Sequence, residues 1–208
     1  MDRILFFGYE FLSSFIPFLW VLIGIRNLRK KREIPDSGAA RWLVIAFAIY
    51  VIGVCHFTGA GTLYDALTYR LEIRRDQLNI IPFSHEIDGT AYLLNILLFV
   101  PLGLFIQLIW KRMDGWRHVL ETGFLFAVLI EVSQLLNNRR TDIDDLILNV
   151  AGAAIGYALY RAWDPRGKTK NGLGGAIIAE LPIYMLVLFA GRFLFFYEIG
   201  WARWMYGF

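Results

Sequence analysis

Six long apolar runs, at residues 4–25, 42–60, 91–110, 119–136, 143–163 and 174–199, most limit what this chain can fold into. Crossing a bilayer as a helix takes about 20 predominantly apolar residues, and each run is close to that length. Inside hydrocarbon a segment must satisfy its own backbone hydrogen bonds, so the runs imply helices. Together they fill more than half of the 208 residues and leave no room for a sizeable soluble domain. The composition agrees: 57% hydrophobic and 19% charged, where soluble domains run near 45–50% apolar and about 25% charged. The first run carries Glu10 and Pro17 and is followed by no small-x-small site, so it reads as a retained span rather than a cleavable signal. A net charge of +3 gives no reason to expect a nucleic-acid partner, and the single Cys55 excludes an intrachain disulfide or a multi-Cys metal site.

Lys and Arg set the expected orientation. Residues 26–41, 111–118 and 161–172 hold thirteen of them; the alternate set, Arg3, Arg70, Arg74, Arg75, Arg139, Arg140 and Arg203, holds seven. The richer loops belong on the cytoplasmic side, with both termini on the other. The expected fold is all-α, a polytopic transmembrane bundle of about six spans. Five is the alternative if the last run is interfacial, because Glu180, Pro182 and Arg192 interrupt it. Three parts follow: a two-helix region over 1–60, a core of an interfacial segment and three spans over 61–163, and an extension over 164–208. Within 61–90, Leu63, Leu67 and Leu71 at helical spacing predict a short amphipathic helix on the outer surface. Pro82 then disfavours helix at Ile81, giving an extended or turning re-entry to the membrane.

The polar residues of the middle spans fall on stripes. Asp88, Tyr92, Asn95 and Phe99 share one face of the third run; Glu131, Gln134 and Asn138 share one face of the fourth. Asp142, Asp145, Asn149, Gly152, Gly156 and Tyr160 line one face of the fifth. Such groups facing lipid cost about 2.5–3.5 kcal/mol each at mid-membrane, so the stripes are expected to face one another around a polar pocket open to the outside. Pro101 is expected to kink the third helix, with Gly103 just beyond it. Gly152 and Gly156, a small-xxx-small pair, allow a neighbouring helix close enough to bring Asn149 to Asn95 or Glu131.

Bland roles compete with functional ones. Thr141 or Asp142 can cap the fifth helix, and Asp144 and Asp145 can complement its positive end. Asn95 and Asn149 can serve only as interhelical glue. Glu131, a carboxylate within a span, is a functional candidate by default. Arg140 can anchor at the surface or offer a bidentate fork to a phosphate or carboxylate. Glu10 and Arg192 are expected at comparable depth, paired as a structural bridge. His56, His85 and His118 lack paired spacing, so zinc is not expected. The acids at 142–145 could take a hard divalent cation, although they lack the Gly and distal Glu of a calcium loop.

Residues 79–83 (NIIPF), 93–103 (LLNILLFVPLG), 131–134 (EVSQ) and 140–157 (RTDIDDLILNVAGAAIGY) resemble the VanZ-like family of bacterial membrane proteins. The likeness rests on the order and spacing of Asn95, Pro101, Gly103, Glu131, Gln134, Arg140, Asp142, Asp145, Asn149, Gly152 and Gly156, and covers about residues 79–162. It implies a multi-pass protein of the bacterial plasma membrane. The family's namesake is associated with resistance to the lipoglycopeptide teicoplanin.

Three functions are open. As an enzyme on an envelope lipid-linked precursor or lipopeptide, the chain would use Glu131 as general acid or base, with Asp142 or Asp145 orienting it. Arg140 would bind the headgroup, and Asn95, Gln134 and Asn149 would orient the substrate. As a binder or carrier it would hold such a ligand without chemistry; the lack of a recognisable nucleophile favours this, since Ser133 has no His or Lys at a telling spacing. As an adaptor it would use the polar groups only to pack helices, leaving Glu131 and Arg140 idle.

Overall fold

A computed structural model describes residues 2–35, 37–69, 77–84, 88–110, 113, 115–137, 139–165 and 179–197. Among them the chain is helical almost throughout: α1 (Asp2–Lys31), α2 (Gly38–Thr58), α3 (Leu63–Thr68), α4 (Gly89–Ile109), α5 (Trp116–Leu136), α6 (Ile143–Trp163) and α7 (Glu180–Phe195). Of these, α1, α2, α4, α5 and α6 are long and apolar enough to cross a membrane. The fold is an all-α polytopic bundle.

Short polar residues start these helices where the apolar periodicity begins. Ser37 caps α2 by accepting the Ala40 N–H, and Asp88 caps α4 by accepting those of Thr90 and Ala91. Thr62 and Asp65 form a reciprocal capping box on α3. Asp88, expected on the polar stripe of α4, is therefore its cap. Gly59 ends α2 in the left-handed conformation at φ 62°, which costs glycine nothing. The short helix expected from Leu63 and Leu67 is α3, packed against α5 and α7; Leu71, Arg70, Arg74 and Arg75 lie outside the described residues, as do His85 and Asn138.

Within the last run, α7 packs lengthwise against α1. Glu180 at the start of α7 meets Arg29 near the end of α1 at 2.5 Å, and Arg192 near the end of α7 meets Glu10 near the start of α1 at 2.8 Å. The two helices are thus antiparallel and joined near both ends. Glu10 and Arg29 are separated along α1 by about 28 Å at 1.5 Å per residue, close to a hydrocarbon thickness. The charges that interrupt the sixth run are thus paired with its neighbour. The Glu10–Arg192 bridge is the one expected from sequence, and Arg29 is the partner of Glu180. Both termini, whose side of the membrane was an expectation, end in residues outside those described.

The tightest contact joins α4 and α6 through glycine. A Cβ at Gly152 would collide with the Ile96 carbonyl oxygen, one at Gly156 with that of Val100, and one at Gly103 with that of Ala153. These three glycines let two backbones touch. Pro101 sits within α4, which continues through it. One level along, Tyr50 of α2 donates 2.8 Å to the Leu98 carbonyl. Aromatic contacts fill the interior, with Phe99 of α4 5.6 Å from Phe126 of α5 and Phe47 of α2 5.2 Å from Trp110. Trp20, Leu94, Leu125 and Leu159 point outward, as side chains against lipid do.

The non-helical pairing is small. Leu78–Asn79 (β1) runs parallel to Thr141–Asp142 (β2), tying the approach to α4 against the start of α6. The turn that follows passes through Pro82, and Phe83 takes a positive φ of 55°. Its N–H donates 2.8 Å to Asp144, which holds that backbone in place.

Candidate functional site

At the end of the bundle where α2 and α5 finish and α4 and α6 begin lies a cleft of about 350 Å³. α4 supplies Asn95, α5 supplies Ile130, Glu131 and Gln134, and α6 supplies Asp145 and Asn149. Phe57 and Thr58 close one side, and Arg139 and Arg140 stand at the exposed rim. Six candidate residues read from the three stripes and the loop (Asn95, Glu131, Gln134, Arg140, Asp145 and Asn149) share this one space.

The groups are held in different ways. Glu131 is 5% exposed and its Oε2 accepts the Asp142 N–H at 3.2 Å. Thr141 donates to the Glu131 carbonyl at 3.0 Å, so the 139–142 turn is fastened to the last turns of α5. Asn95 Nδ2 donates to Asp145 Oδ1 across the α4–α6 contact. The glycine crossing thus pairs Asn95 with Asp145, one turn before Asn149, rather than with Asn149 itself. Gln134 Nε2 donates 2.7 Å to the Thr58 carbonyl, an oxygen that also accepts from Arg139 at 3.0 Å. Asn149 is 2% exposed, and its Oδ1 has no hydrogen-bond partner.

Asp142 goes elsewhere. Its carboxylate accepts both bonds that Asn79 Nδ2 makes, at 3.0 and 3.1 Å, and caps α6 through the Asp144 N–H at 3.0 Å. It lines a separate apolar cleft of about 180 Å³ beside β1, with Ile80, Val132 and Leu146, and Glu131 forms part of that wall too. A carboxylate so engaged is an organiser of the loop, and the structure does not bring it into the polar cleft. Asp144, buried, accepts the Tyr92 hydroxyl at 2.6 Å as well as the Phe83 N–H. It therefore does more than complement a helix end, since it joins α4, the Pro82 turn and α6.

Sequence reasoning missed the segment from Thr58 to Gly61. Its carbonyls accept from Gln134, Arg139, Asn137 and Arg192, and the Gly61 N–H donates 2.9 Å to Ser133 Oγ. A Cβ at Gly61 would collide with the Ser133 carbonyl. The two glycines after an apolar run were the available signal of close backbone approach. Ser133 Oγ, which also donates 2.6 Å to Ile130, is a packing group here. His56 Nδ1 lies 2.6 Å from Glu10, away from the cleft. Among the described residues no three His, Cys, Asp or Glu side chains group so as to hold a metal ion, the acids at 131, 142 and 145 included.

What the arrangement offers chemically is a polar chamber with two carboxyl groups inside and cationic groups at its mouth. Arg29, Arg117, Arg139 and Arg192 are committed to partners within the chain. Arg140 makes no hydrogen bond or ion pair with any described residue, and it stands over the opening.

No curated protein and no solved structure matches the chain. The family model described as VanZ/LLP1 matches residues 42–164, more than half of the sequence, starting with α2 and ending just beyond α6. That range is wider than the motifs alone indicate, and it takes in Thr58 and every other residue lining the cleft. The chain belongs to the VanZ/LLP1 family.

Proposed function

We propose that this membrane protein binds the anionic headgroup of a lipid-linked envelope molecule in the cleft between α4, α5 and α6. The observation that carries this reading is the uncommitted Arg140 guanidinium above a chamber set among membrane-crossing helices. A planar fork of donors suits phosphate or carboxylate, and such charge-assisted bonds are the strong ones. An anionic lipid can present its headgroup at that depth while its chains stay in hydrocarbon. The basic loops at the opposite end of the bundle favour a cytoplasmic location for that end, which puts the cleft on the extracytoplasmic side of the plasma membrane. A cleft so placed can meet cell-wall precursors or the acyl tail of a lipoglycopeptide, and a contribution to teicoplanin tolerance is part of this proposal.

A second reading, catalysis, is favoured by Glu131, a buried carboxylate in the wall of the same chamber whose proton transfer to a bound ligand would serve as general acid–base chemistry. Asp145, held by Asn95, would then orient the substrate or Glu131.

The test is a pair of variants in the full chain, purified in a neutral detergent and titrated with short-chain phosphatidylglycerol. Arg140→Ala is expected to weaken binding by about tenfold or more, the usual size of a charge-assisted bond. Wild-type affinity in that variant would remove the headgroup clamp. Glu131→Gln is expected to leave binding measurable; if it also leaves the cellular lipid profile and drug tolerance unchanged, catalysis is excluded and the binding reading stands.

A further inference from the structure

We infer that the ligand's anionic headgroup also carries a hydroxyl, so that the cleft selects phosphate esters of a polyol or sugar over phosphate esters lacking one. This rests on the binding reading above and adds the chemical class.

The observation is Asn149. Its carboxamide is nearly all buried, it lines the cleft, and its Oδ1 accepts nothing from the protein. A buried polar atom without a partner is costly, and such atoms in folded proteins are ordinarily satisfied. Its neighbours do not meet that need. Asn95 gives its Nδ2 to Asp145, and Gln134 gives its Nε2 to Thr58. Asn149 lies one helical turn, about 6 Å, beyond Asp145 and further from the rim that carries Arg140. Two complementary groups thus stand at different depths in one chamber. A guanidinium for an anion is at the mouth, and a carboxamide whose buried oxygen lacks a donor is deeper in.

A bare phosphate or a simple phosphate monoester of a lipid satisfies only the first. A headgroup that extends past its phosphate with a hydroxyl satisfies both, the hydroxyl donating to Asn149 Oδ1. Leaving that acceptor unpaired when the hydroxyl is missing is the physical source of discrimination, as in sites built to read one OH. The same shared chemistry is available from a lipid headgroup or from a soluble polyol phosphate.

The test needs no variant in its first arm. The full chain in detergent micelles is titrated with phosphatidylglycerol and with phosphatidylpropanol of the same chain length, which differ only in headgroup hydroxyls. The wild type is expected to prefer phosphatidylglycerol by about fivefold, one neutral hydrogen bond's worth. In Asn149→Leu that ratio is expected to fall to one, and in Asn149→Ser, which keeps an acceptor, to stay above one. Equal binding of the two lipids by the wild type would overturn this inference while leaving the Arg140 reading standing. No binding of either lipid would overturn both. Competition by free sn-glycerol 3-phosphate as strong as by the lipid would uphold the hydroxyl inference and overturn the lipid source.

Discussion

Arg192→Met is expected to destabilise the protein by about 3–5 kcal/mol, the usual cost of removing one partner from a buried ion pair. Arg192 reaches Glu10 of α1 through Nε at 2.8 Å and the Ala60 carbonyl through Nη1. Without it a carboxylate that is 3% exposed keeps only the His56 ring as a partner. The carbonyl of Ala60 loses its donor in the same stroke. Thermal unfolding in a fixed detergent reads the loss. The double variant Glu10→Leu, Arg192→Met is expected to recover part of it, because replacing both charges removes the uncompensated one. A double variant less stable than the sum of the singles would show that the bridge is not the main interaction at this position. The loss also reaches the cleft, since Thr58, two residues before Ala60, forms its wall.

The other large effect is expected at the α4–α6 crossing. Gly156→Val places a branched side chain where the Val100 carbonyl oxygen and the Gly103 Cα already stand. Both obstacles are backbone, so no rotamer change relieves them and the helices must part. Overpacking of this kind costs about 1–3 kcal/mol and more where nothing can give, and the expectation here is about 3 kcal/mol or above. Because Asn95 meets Asp145 across the same crossing, headgroup binding is expected to fall together with stability. Gly8→Ala, at a glycine with open space around it, is the control and is expected to change neither. A Gly156→Val protein with unchanged melting would mean that α4 and α6 do not touch as closely as described.

Much of this was legible in the residues themselves. The apolar run at 143–163 coincides with α6, and those at 42–60, 91–110 and 119–136 differ from α2, α4 and α5 by a few residues at their ends. Hydrophobic length decides a membrane helix almost alone, so those elements needed no tertiary information. The shared faces of Glu131 with Gln134, and of Asp145 with Asn149, followed from helical periodicity. What periodicity cannot give is the rotation and offset of one helix against another. Asn149 was expected to meet Asn95 or Glu131, and the crossing set by Gly103, Gly152 and Gly156 brings Asn95 instead to Asp145. Asp142 and Asp145 share a stripe, yet the Asn79 amide draws Asp142 out of the cleft through β1, a loop contact 63 residues distant in sequence. The Arg29–Glu180 pair spans 151 residues, and no local pattern marks it. Thr58 to Gly61 shows the same limit, because the groups that grip it come from α5, from Asn137 and Arg139, and from α7.

On the proposed reading, carboxyl and amide groups of α4, α5 and α6 and the Arg140 guanidinium of the loop before α6 enclose a space that water reaches from outside the cell. Cys55 is buried, so single cysteines can be placed against a quiet background. Gln134→Cys, in the cleft, and Gln107→Cys, buried at the opposite end of α4, are expressed in intact cells and treated with a membrane-impermeant thiol reagent. Rapid labelling is expected at 134, slowed by added anionic short-chain lipid, and none at 107. Labelling at 134 only after the cells are opened, or none at all, would contradict that reading.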